Sequence, residues 1–416
     1  MEKFFNPRAV AVVGASSKKG KIGYEILKNV IESGVKAYPV NPKGGEILGQ
    51  KCYPTVDAIE EDVDLAVIAV GAEKCVGVME RCGKKGIKHV VIISGGFRET
   101  GKEELEEKIM EIAREYGIRI VGPNCIGVFN GKNRFNTFFQ KHMQLPPFGN
   151  VAIVTQSGTF GIALLETLAK EGIGVSKFVS YGNGMDVDEV DLIDYLMKDK
   201  ETEMIAMYVE DIGREFFENT FTKPVVILKA GRGRLGQEAA ASHTGAMASN
   251  YEIFKGACRQ KNVIYAHNFQ EFFGIIKIMA MEGLPSGEKM DIITNGAGPS
   301  VLACDFMEGK NVTLSHLIDL TGSATASDYL HAINESGADI IVLMFVFQDA
   351  PLADTLEELY EGLKERKRFY VAISLGGEFV EEQWRRLSSL RIPSFEEPEI
   401  MVNALDKILE YKKKAE

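Results

Sequence analysis

One histidine, His243, sits in the run Ala239-Ala-Ala-Ser-His-Thr-Gly245, with hydroxyl side chains on both sides and a glycine just beyond. Neutral imidazole is a competent nucleophile near pH 7, and a hydrogen bond to one ring nitrogen decides which other nitrogen is free. Neighbouring hydroxyls can orient the ring or donate to phosphate oxygens, and glycine lets backbone N–H groups approach an anion closely. Upstream, Lys229-Ala-Gly-Arg-Gly-Arg-Leu-Gly236 leaves the β-branched run Pro224-Val-Val-Ile-Leu228 with three glycines and two arginines. That run reads as a buried parallel strand, and open α/β sheets bind ligands where such strands end. A glycine-rich loop around a structurally satisfied histidine is the plainer alternative. The joint occurrence of the Arg/Gly exit, the small-residue run and Ser-His-Thr-Gly favours chemistry. His267 lies beyond the next helix and strand without such company and reads as structural.

Other stretches also suit anions. Val10–Val13 reads as a short buried strand, followed by Gly14-Ala-Ser-Ser-Lys-Lys-Gly-Lys-Ile-Gly23 and a helix from about Ile22 to Glu32. Strand, glycine turn and helix start make a phosphate cradle, although the spacing is not GxGxxG. After the next strand, Ala37–Val40, comes Asn41-Pro-Lys-Gly44. A dinucleotide enzyme places an acidic residue here for the ribose 2′-hydroxyl. Lys43 instead suits a phosphate, which disfavours NAD and favours a phosphorylated ribose such as that of coenzyme A. In Thr155-Gln-Ser-Gly-Thr-Phe-Gly161, Ser157 is an expected N-cap, with Gly158 and Thr159 presenting free N–H groups. The dipole of that helix start contributes about 0.3–1 kcal/mol toward an anion. Met204–Val209 delivers Glu210 at a strand end, where a carboxylate is ordinarily a solvated surface group. In Gly182–Asp188 the two aspartates read as turn and helix-capping residues, because a cation site needs more oxygen ligands.

These segments need a scaffold that gathers strand ends. Strands at Leu65–Val70, His89–Ile93 and Arg119–Val121, with helices near Glu73–Lys85 and Lys102–Tyr116, complete five strand–helix units with glycine at nearly every exit. The expected fold class is α/β: a Rossmann-like domain over 1–128, a linker over 129–148 that includes Leu145-Pro-Pro-Phe-Gly149, and two flavodoxin-like doubly wound domains over 149–286 and 287–416. In the last, Met290–Thr294, Asp339–Val346, Arg368–Leu375 and Ile392–Phe395 are the expected strands. Chain length, 416 residues, agrees with two or three domains. A net charge of −11 argues against nonspecific nucleic-acid binding and against an anionic membrane surface. No apolar run reaches the roughly 18 residues of a membrane span, and the start Met-Glu-Lys-Phe-Phe lacks a signal-peptide pattern, so a cytoplasmic location is expected. The six cysteines are scattered without a CxxC, which indicates neither zinc nor a disulfide framework.

Lys-Ala-Gly followed by Ala-Ala-Ser-His-Thr-Gly resembles the phosphohistidine segment of the nucleoside-diphosphate-forming acyl-CoA synthetases, relatives of succinyl-CoA synthetase, and the resemblance extends over nearly the whole chain. It implies the α subunit of an ADP-forming acyl-CoA synthetase, in which His243 is phosphorylated, Glu210 orients it, and Ser157, Gly158, Thr159 and Gly245 grip the phosphate. It implies a coenzyme A site at Gly14, Ser16, Lys18, Gly23, Asn41, Pro42, Lys43, Val70, Ser94, Gly95 and Asn124. The family usually has proline after the third strand, where this chain has Gly71; between Leu314 and Asp319 the chain is shorter than the family norm, with Ser-His-Leu-Ile-Asp for Asn-Pro-Val-Asp. Neither a GxxxxGK[ST] loop nor the ATP-grasp module is found in the sequence. A separate ATP-grasp β subunit holding ADP or ATP with Mg²⁺, in an α₂β₂ assembly, is therefore expected. A succinyl-CoA synthetase-type α subunit, a noncatalytic coenzyme A-binding or acyl-CoA-sensing protein, and an NAD dehydrogenase remain as alternatives. The resemblance to the succinate enzymes' α chain covers the first two domains only.

Overall fold

β-Branched runs bounded by glycine and followed by amphipathic stretches fold here into alternating strands and helices. The computed structural model describes residues 1–244, 250–365 and 368–415, with residues 241–244 described by their backbone only. After a short helix α1 (Glu2–Phe5), the chain runs β1 (Ala9–Val13), α2 (Ile22–Glu32), β2 (Lys36–Val40), β3 (Gly45–Ile47), β4 (Gln50–Cys52), β5 (Leu65–Ile68), α3 (Ala72–Lys85), β6 (His89–Ile92), α4 (Glu103–Tyr116) and β7 (Arg119–Val121). The first sheet has the order β2-β1-β5-β6-β7 with every neighbour parallel. Leaving aside the β3–β4 hairpin, this is the doubly wound order 2-1-3-4-5, whose switch point lies between the first and third strands.

The chain continues through β8 (Gly127–Asn130), β9 (Phe148–Thr155), α5 (Gly158–Lys170), β10 (Val175–Ser180), α6 (Glu189–Lys198), β11 (Met204–Val209), β12 (Val225–Lys229), α7 (Arg234–Thr244), α8 (Tyr251–Gln260) and the short strand β13 (Ile264–Ala266). Five strands of the second sheet follow the order β12-β11-β9-β10-β8. Those from β9 to β12 are parallel, and β8 joins β10 antiparallel. Gly127–Asn130 therefore belongs to the second sheet, although the sequence ends the first domain near residue 128. The segment expected as a linker is packed: Phe135 and Phe138 are buried, Asn29 Nδ2 donates to the Phe138 carbonyl at 2.7 Å, and β9 already begins at Phe148.

A third parallel sheet is formed by β14 (Lys289–Thr294), β15 (Thr313–Asp319), β16 (Ile340–Phe345), β17 (Phe369–Ser374) and β18 (Ser394–Phe395), in the order β15-β14-β16-β17-β18. The chain divides into two compact units, Met1–Lys170 with Gly174–Lys261, and Glu171–Ile173 with Asn262–Glu416. The stretch from Asn262 to Met281, expected in the middle domain, groups with the third sheet in this division. The cause is the helix α9 (Phe269–Met281), which is buried almost all round and packs on the C-terminal helix Pro398–Ala415. No helix among the described residues is long and apolar enough to cross a membrane.

Candidate active site

The turn after β1 is built on two glycines in contact. Gly14 has φ +91°, and a Cβ on Gly23, in the first turn of α2, would strike the Gly14 carbonyl oxygen and lie 3.1 Å from the Ala15 Cα. The helix start is thereby seated on the strand end. Asn41 Nδ2 donates to the Ala15 carbonyl at 2.9 Å, tying the end of β2 to the same turn. Between β1, β2 and β5 lies a cavity of about 410 Å³ whose lining includes Gly14, Asn41, Pro42 and Val70, with Val56, Lys74 and Arg81 added from beyond the expected set. Lys74, Val78 and Arg81 are spaced i, i+4, i+7 on α3, so helical periodicity would have placed all three on this face. Ser16 and Lys18 lie in the exposed part of the turn, where the Lys18 N–H donates to Ser16 Oγ at 3.1 Å. Lys43 is exposed, its N–H held by Asn41 Oδ1 at 3.0 Å, and does not line the cavity.

Ser94, Gly95 and Asn124 meet at the ends of β6 and β7. Ser94 Oγ donates to the Val70 carbonyl, and the Asn124 N–H donates to the Ser94 carbonyl at 2.9 Å. Asn124, in the left-handed region at φ +57°, sets its side chain where a Cβ on Gly95 would stand, 3.2 Å from Oδ1. Its amide also reaches Asn183 Oδ1 at 3.3 Å, and Asn183 donates to Glu99 at 2.7 Å and to buried Glu106 at 2.8 Å. Burial pushes the Glu99 carboxyl upward, but Asn183 and the N–H groups of Gly96 and Phe97 outweigh it and hold its pKa below the ordinary value. The sequence signal for Asn183 and Glu99 was only a glycine-flanked turn, too common to single them out.

The second sheet delivers the remaining groups to its own strand ends. Ser157 precedes α5 and caps it, accepting the Phe160 N–H at 3.4 Å, so the Gly158 and Thr159 N–H groups open the helix. Gly158 abuts Ile126, in the loop that carries Asn124. Glu210 follows β11 and is buried. Gln156 Oε1 accepts the N–H groups of Glu210 and Asp211 at 2.7 and 3.2 Å, while Lys229 Nζ donates to the carbonyls of Glu210 and Ala230 at 2.8 and 3.2 Å. Burial pulls the Lys229 ammonium below its ordinary pKa, against the opposing pull of the Asp211 and Glu210 carboxylates. The backbone of His243 lies in the last turn of α7, and α7 runs against the short helix Arg98–Thr100 beside Gly95. The alanine run before the histidine is thus helical. At ~1.5 Å per residue it spans far less than the roughly 40 Å of an extended segment. The His243 side chain and Gly245 lie outside what is described.

Other groups take structural roles. Asp188 caps α6, accepting from Val190 and Asp191 at 2.9 and 3.2 Å, and Asp186 pairs with Arg119 at 3.0 Å. His267 Nδ1 sits 3.0 Å from Glu271 Oε2. No metal-binding cluster of His, Cys, Asp or Glu occurs among the described residues, and all six cysteines are free. Burial pushes the Cys75, Cys82 and Cys125 thiols up to about 12, so none of these three is a thiolate nucleophile at neutral pH.

Residues 8–131 match the model of a CoA binding domain, and residues 148–279 match that of a succinyl-CoA ligase like flavodoxin domain. The chain is 36% identical to the Pyrococcus furiosus acetate–CoA ligase [ADP-forming] II subunit alpha, covering 96% of this chain and 95% of the relative. To the corresponding I subunit alpha of the same organism it is 38% identical, over 99% and 98% of the two chains. It is similar to the solved structure of the dinucleotide forming acetyl-coenzyme A synthetase 1 of Ca. Korarchaeum cryptofilum in complex with phosphate and ADP, with TM-score 0.92 and 35% identity, covering 99% of this chain and 97% of that one.

Proposed function

Because the chain belongs to the ADP-forming acetate–CoA ligase family and matches its alpha subunits from end to end, we propose that it interconverts an acyl-CoA, phosphate and ADP with the free acid, coenzyme A and ATP through phosphorylated His243. The observation that carries this reading is the convergence of three elements at one set of strand ends. A capped helix start (Ser157–Thr159), the buried carboxylate of Glu210 and the histidine-bearing helix all leave neighbouring parallel strands, next to the loop of Asn124.

The residues present fit coenzyme A. The mostly apolar slot between Pro42, Val56 and Val70 suits a planar base, and Lys74 and Arg81 at its edge suit phosphate. The Gly14–Gly23 contact keeps the helix N-terminus and the Ser16–Lys18 turn open to a pyrophosphate, where backbone N–H groups and the dipole favour anions. In this reading exposed Lys43 takes the ribose phosphate, and Ser94, Gly95 and Asn124 serve the reacting end. A phosphate oxygen adds to the thioester carbonyl carbon, the C–S bond breaks, and the thiol takes up a proton, leaving acyl phosphate. An imidazole nitrogen of His243 then attacks phosphorus; the N–P bond forms, the P–O bond to the acyl oxygen breaks, and the acid departs as carboxylate. Glu210 accepts the other imidazole N–H, and Ser157, Gly158, Thr159 and Gly245 donate to the phosphoryl oxygens. Such preorganised donors supply most of the stabilisation this transfer needs. The phosphoryl group passes to ADP on a separate ATP-grasp β subunit, whose Mg²⁺ neutralises phosphate charge, in an α₂β₂ assembly in the cytoplasm. The relatives' designation as alpha subunits supports a partner. Their match across the third sheet favours them over a succinate-type chain.

Incubation with acetyl phosphate tests the assignment. One phosphoryl group, acid-labile and base-stable, is expected on the chain, absent in His243→Asn while CoA binding persists. Label on any other residue ends the assignment.

A further inference from the structure

Gln156 and Lys229 both bond the main chain of Glu210 and have no task in the chemistry above. We propose that Gln156 and Lys229 are positioning residues that hold the Glu210 carboxylate in register for the histidine; this rests on the reading of Glu210 as the partner of His243.

The geometry is a clamp closed from both neighbouring strands. β11 lies between β9 and β12, with Tyr208 beside Thr155 and Val209 beside Lys229. One residue past β9, Gln156 is fixed by its own N–H to the Tyr208 carbonyl at 3.0 Å and turns its side-chain oxygen onto the Glu210 and Asp211 N–H groups. From the other side Lys229, only 1% exposed, folds its ammonium over the strand ends onto the carbonyls of Glu210 and Ala230. The N–H and C=O of the same glutamate are thus both held by side chains, one from each flank. Main-chain groups leaving a parallel sheet have no ladder partner, and elsewhere water or a turn satisfies them. A buried lysine is a costly way to satisfy two carbonyls unless their position matters.

The clamp also adjoins, in sequence, the two segments assigned to the phosphate and to the histidine. Gln156 immediately precedes Ser157 of the phosphate-gripping helix start, and Lys229 stands two residues before Gly231 at the root of the histidine segment. Displacement at either flank therefore reaches Glu210 through one hydrogen bond.

The test is a double-mutant cycle on histidine phosphorylation by acetyl phosphate, using the full chain, with calorimetric CoA binding as the check that the first sheet is intact. Gln156→Leu removes the acceptor and is expected to slow labelling about tenfold, since misplacement on the ångström scale costs between one and two orders of magnitude. Gln156→Glu keeps an acceptor at the same reach and should restore most of the rate. Lys229→Met should slow labelling similarly; if that variant does not fold, the Gln156 arm decides alone. In a Glu210→Gln background the carboxylate is gone and its placement no longer matters, so Gln156→Leu should cost nothing further. Full additivity of the two losses would mean a general structural role and overturn the proposal, as would an unchanged rate in Gln156→Leu. An unchanged rate in Glu210→Gln alone would refute the Glu210 reading itself, and this proposal with it.

Discussion

Gly23→Ala sets two known effects against each other. Alanine is favoured over glycine inside a helix by about 0.5–1 kcal/mol, so propensity alone makes the variant more stable. Against this, the new Cβ would strike the Gly14 carbonyl oxygen, with the Gly14 carbonyl carbon at 2.8 Å and the Ala15 Cα at 3.1 Å. All three atoms are backbone, and Gly14 is already at φ +91°, so no rotamer change relieves the overlap. Overpacking costs about 1–3 kcal/mol, and overlap with backbone atoms puts it in the upper half of that range, which leaves a net loss of about 1–2.5 kcal/mol. The expected midpoint of thermal unfolding falls by roughly 2–6 °C. Relief comes by moving α2 away from β1, which opens the turn that carries Ser16 and Lys18. CoA affinity by calorimetry should therefore fall about tenfold, equivalent to ~1.4 kcal/mol. Gly77→Ala is the matched control: Gly77 lies inside α3, exposed, and its Cβ would meet nothing within 4 Å. That variant should gain stability and bind CoA normally. If Gly23→Ala behaves like Gly77→Ala, the reasoning from close backbone approach is wrong.

Other outcomes follow from the same geometry. Lys43→Ala should weaken CoA binding and flatten its salt dependence; equal affinity of the unaltered chain for CoA and dephospho-CoA would remove Lys43 from the ribose phosphate. Purified without a partner, the chain should make no ATP from acyl-CoA, phosphate and ADP, and appreciable synthesis would sink the two-subunit reading. Asp64 is raised by burial but lowered further by the Arg8 N–H and the Lys3 and Arg8 side chains, ending at about 2 against an ordinary 3.8. A depressed carboxylate stabilises above its unfolded pKa and loses that contribution as pH falls through the folded one. Asp64→Asn should thus melt lower than the unaltered chain at pH 7, with the gap closing between pH 3.8 and about 2 in a pH series of thermal melts. Gly231, at φ +66°, cannot accept proline, but Gly233 just before α7 is not in the left-handed region. Gly233→Pro should spare self-phosphorylation and block transfer to ADP if the histidine segment must swing; unimpaired transfer means that it does not.

Strands of apolar β-branched residues ending in glycine were legible because both faces of each are buried, and the five strands of the first sheet appear where the pattern puts them. β10 escaped because Lys177 interrupts its pattern. That lysine is nonetheless buried, paired with Glu201 and Asp199, a compensation that only tertiary structure reveals. The edge strand β15 escaped for the opposite reason: its side chains are almost all exposed, and Ser-His-Leu carries no burial signal. The β3–β4 hairpin is two strands of three residues each, too short for periodicity. At the site, the expected residues were singled out by the joint occurrence of glycine turns at strand ends and a histidine flanked by hydroxyls, since neither pattern alone is specific. Gln156 and Lys229 were not, since a glutamine at a strand exit and a lysine at a strand end look like surface.

The five residues between β7 and β8 carry a mechanical consequence. The chain leaves one sheet at Val121 and enters the other at Gly127. Every step between is pinned: the Gly122 and Pro123 carbonyls take the N–H groups of Met185 and Asn183 at 3.3 and 3.0 Å, Asn124 holds Ser94, and Cys125 Sγ reaches the Ile92 carbonyl at 3.3 Å. A hinge needs slack, and this tether has none. Between these two sheets the connection behaves as a weld, which leaves no slack for the two sheets to close as jaws around a substrate.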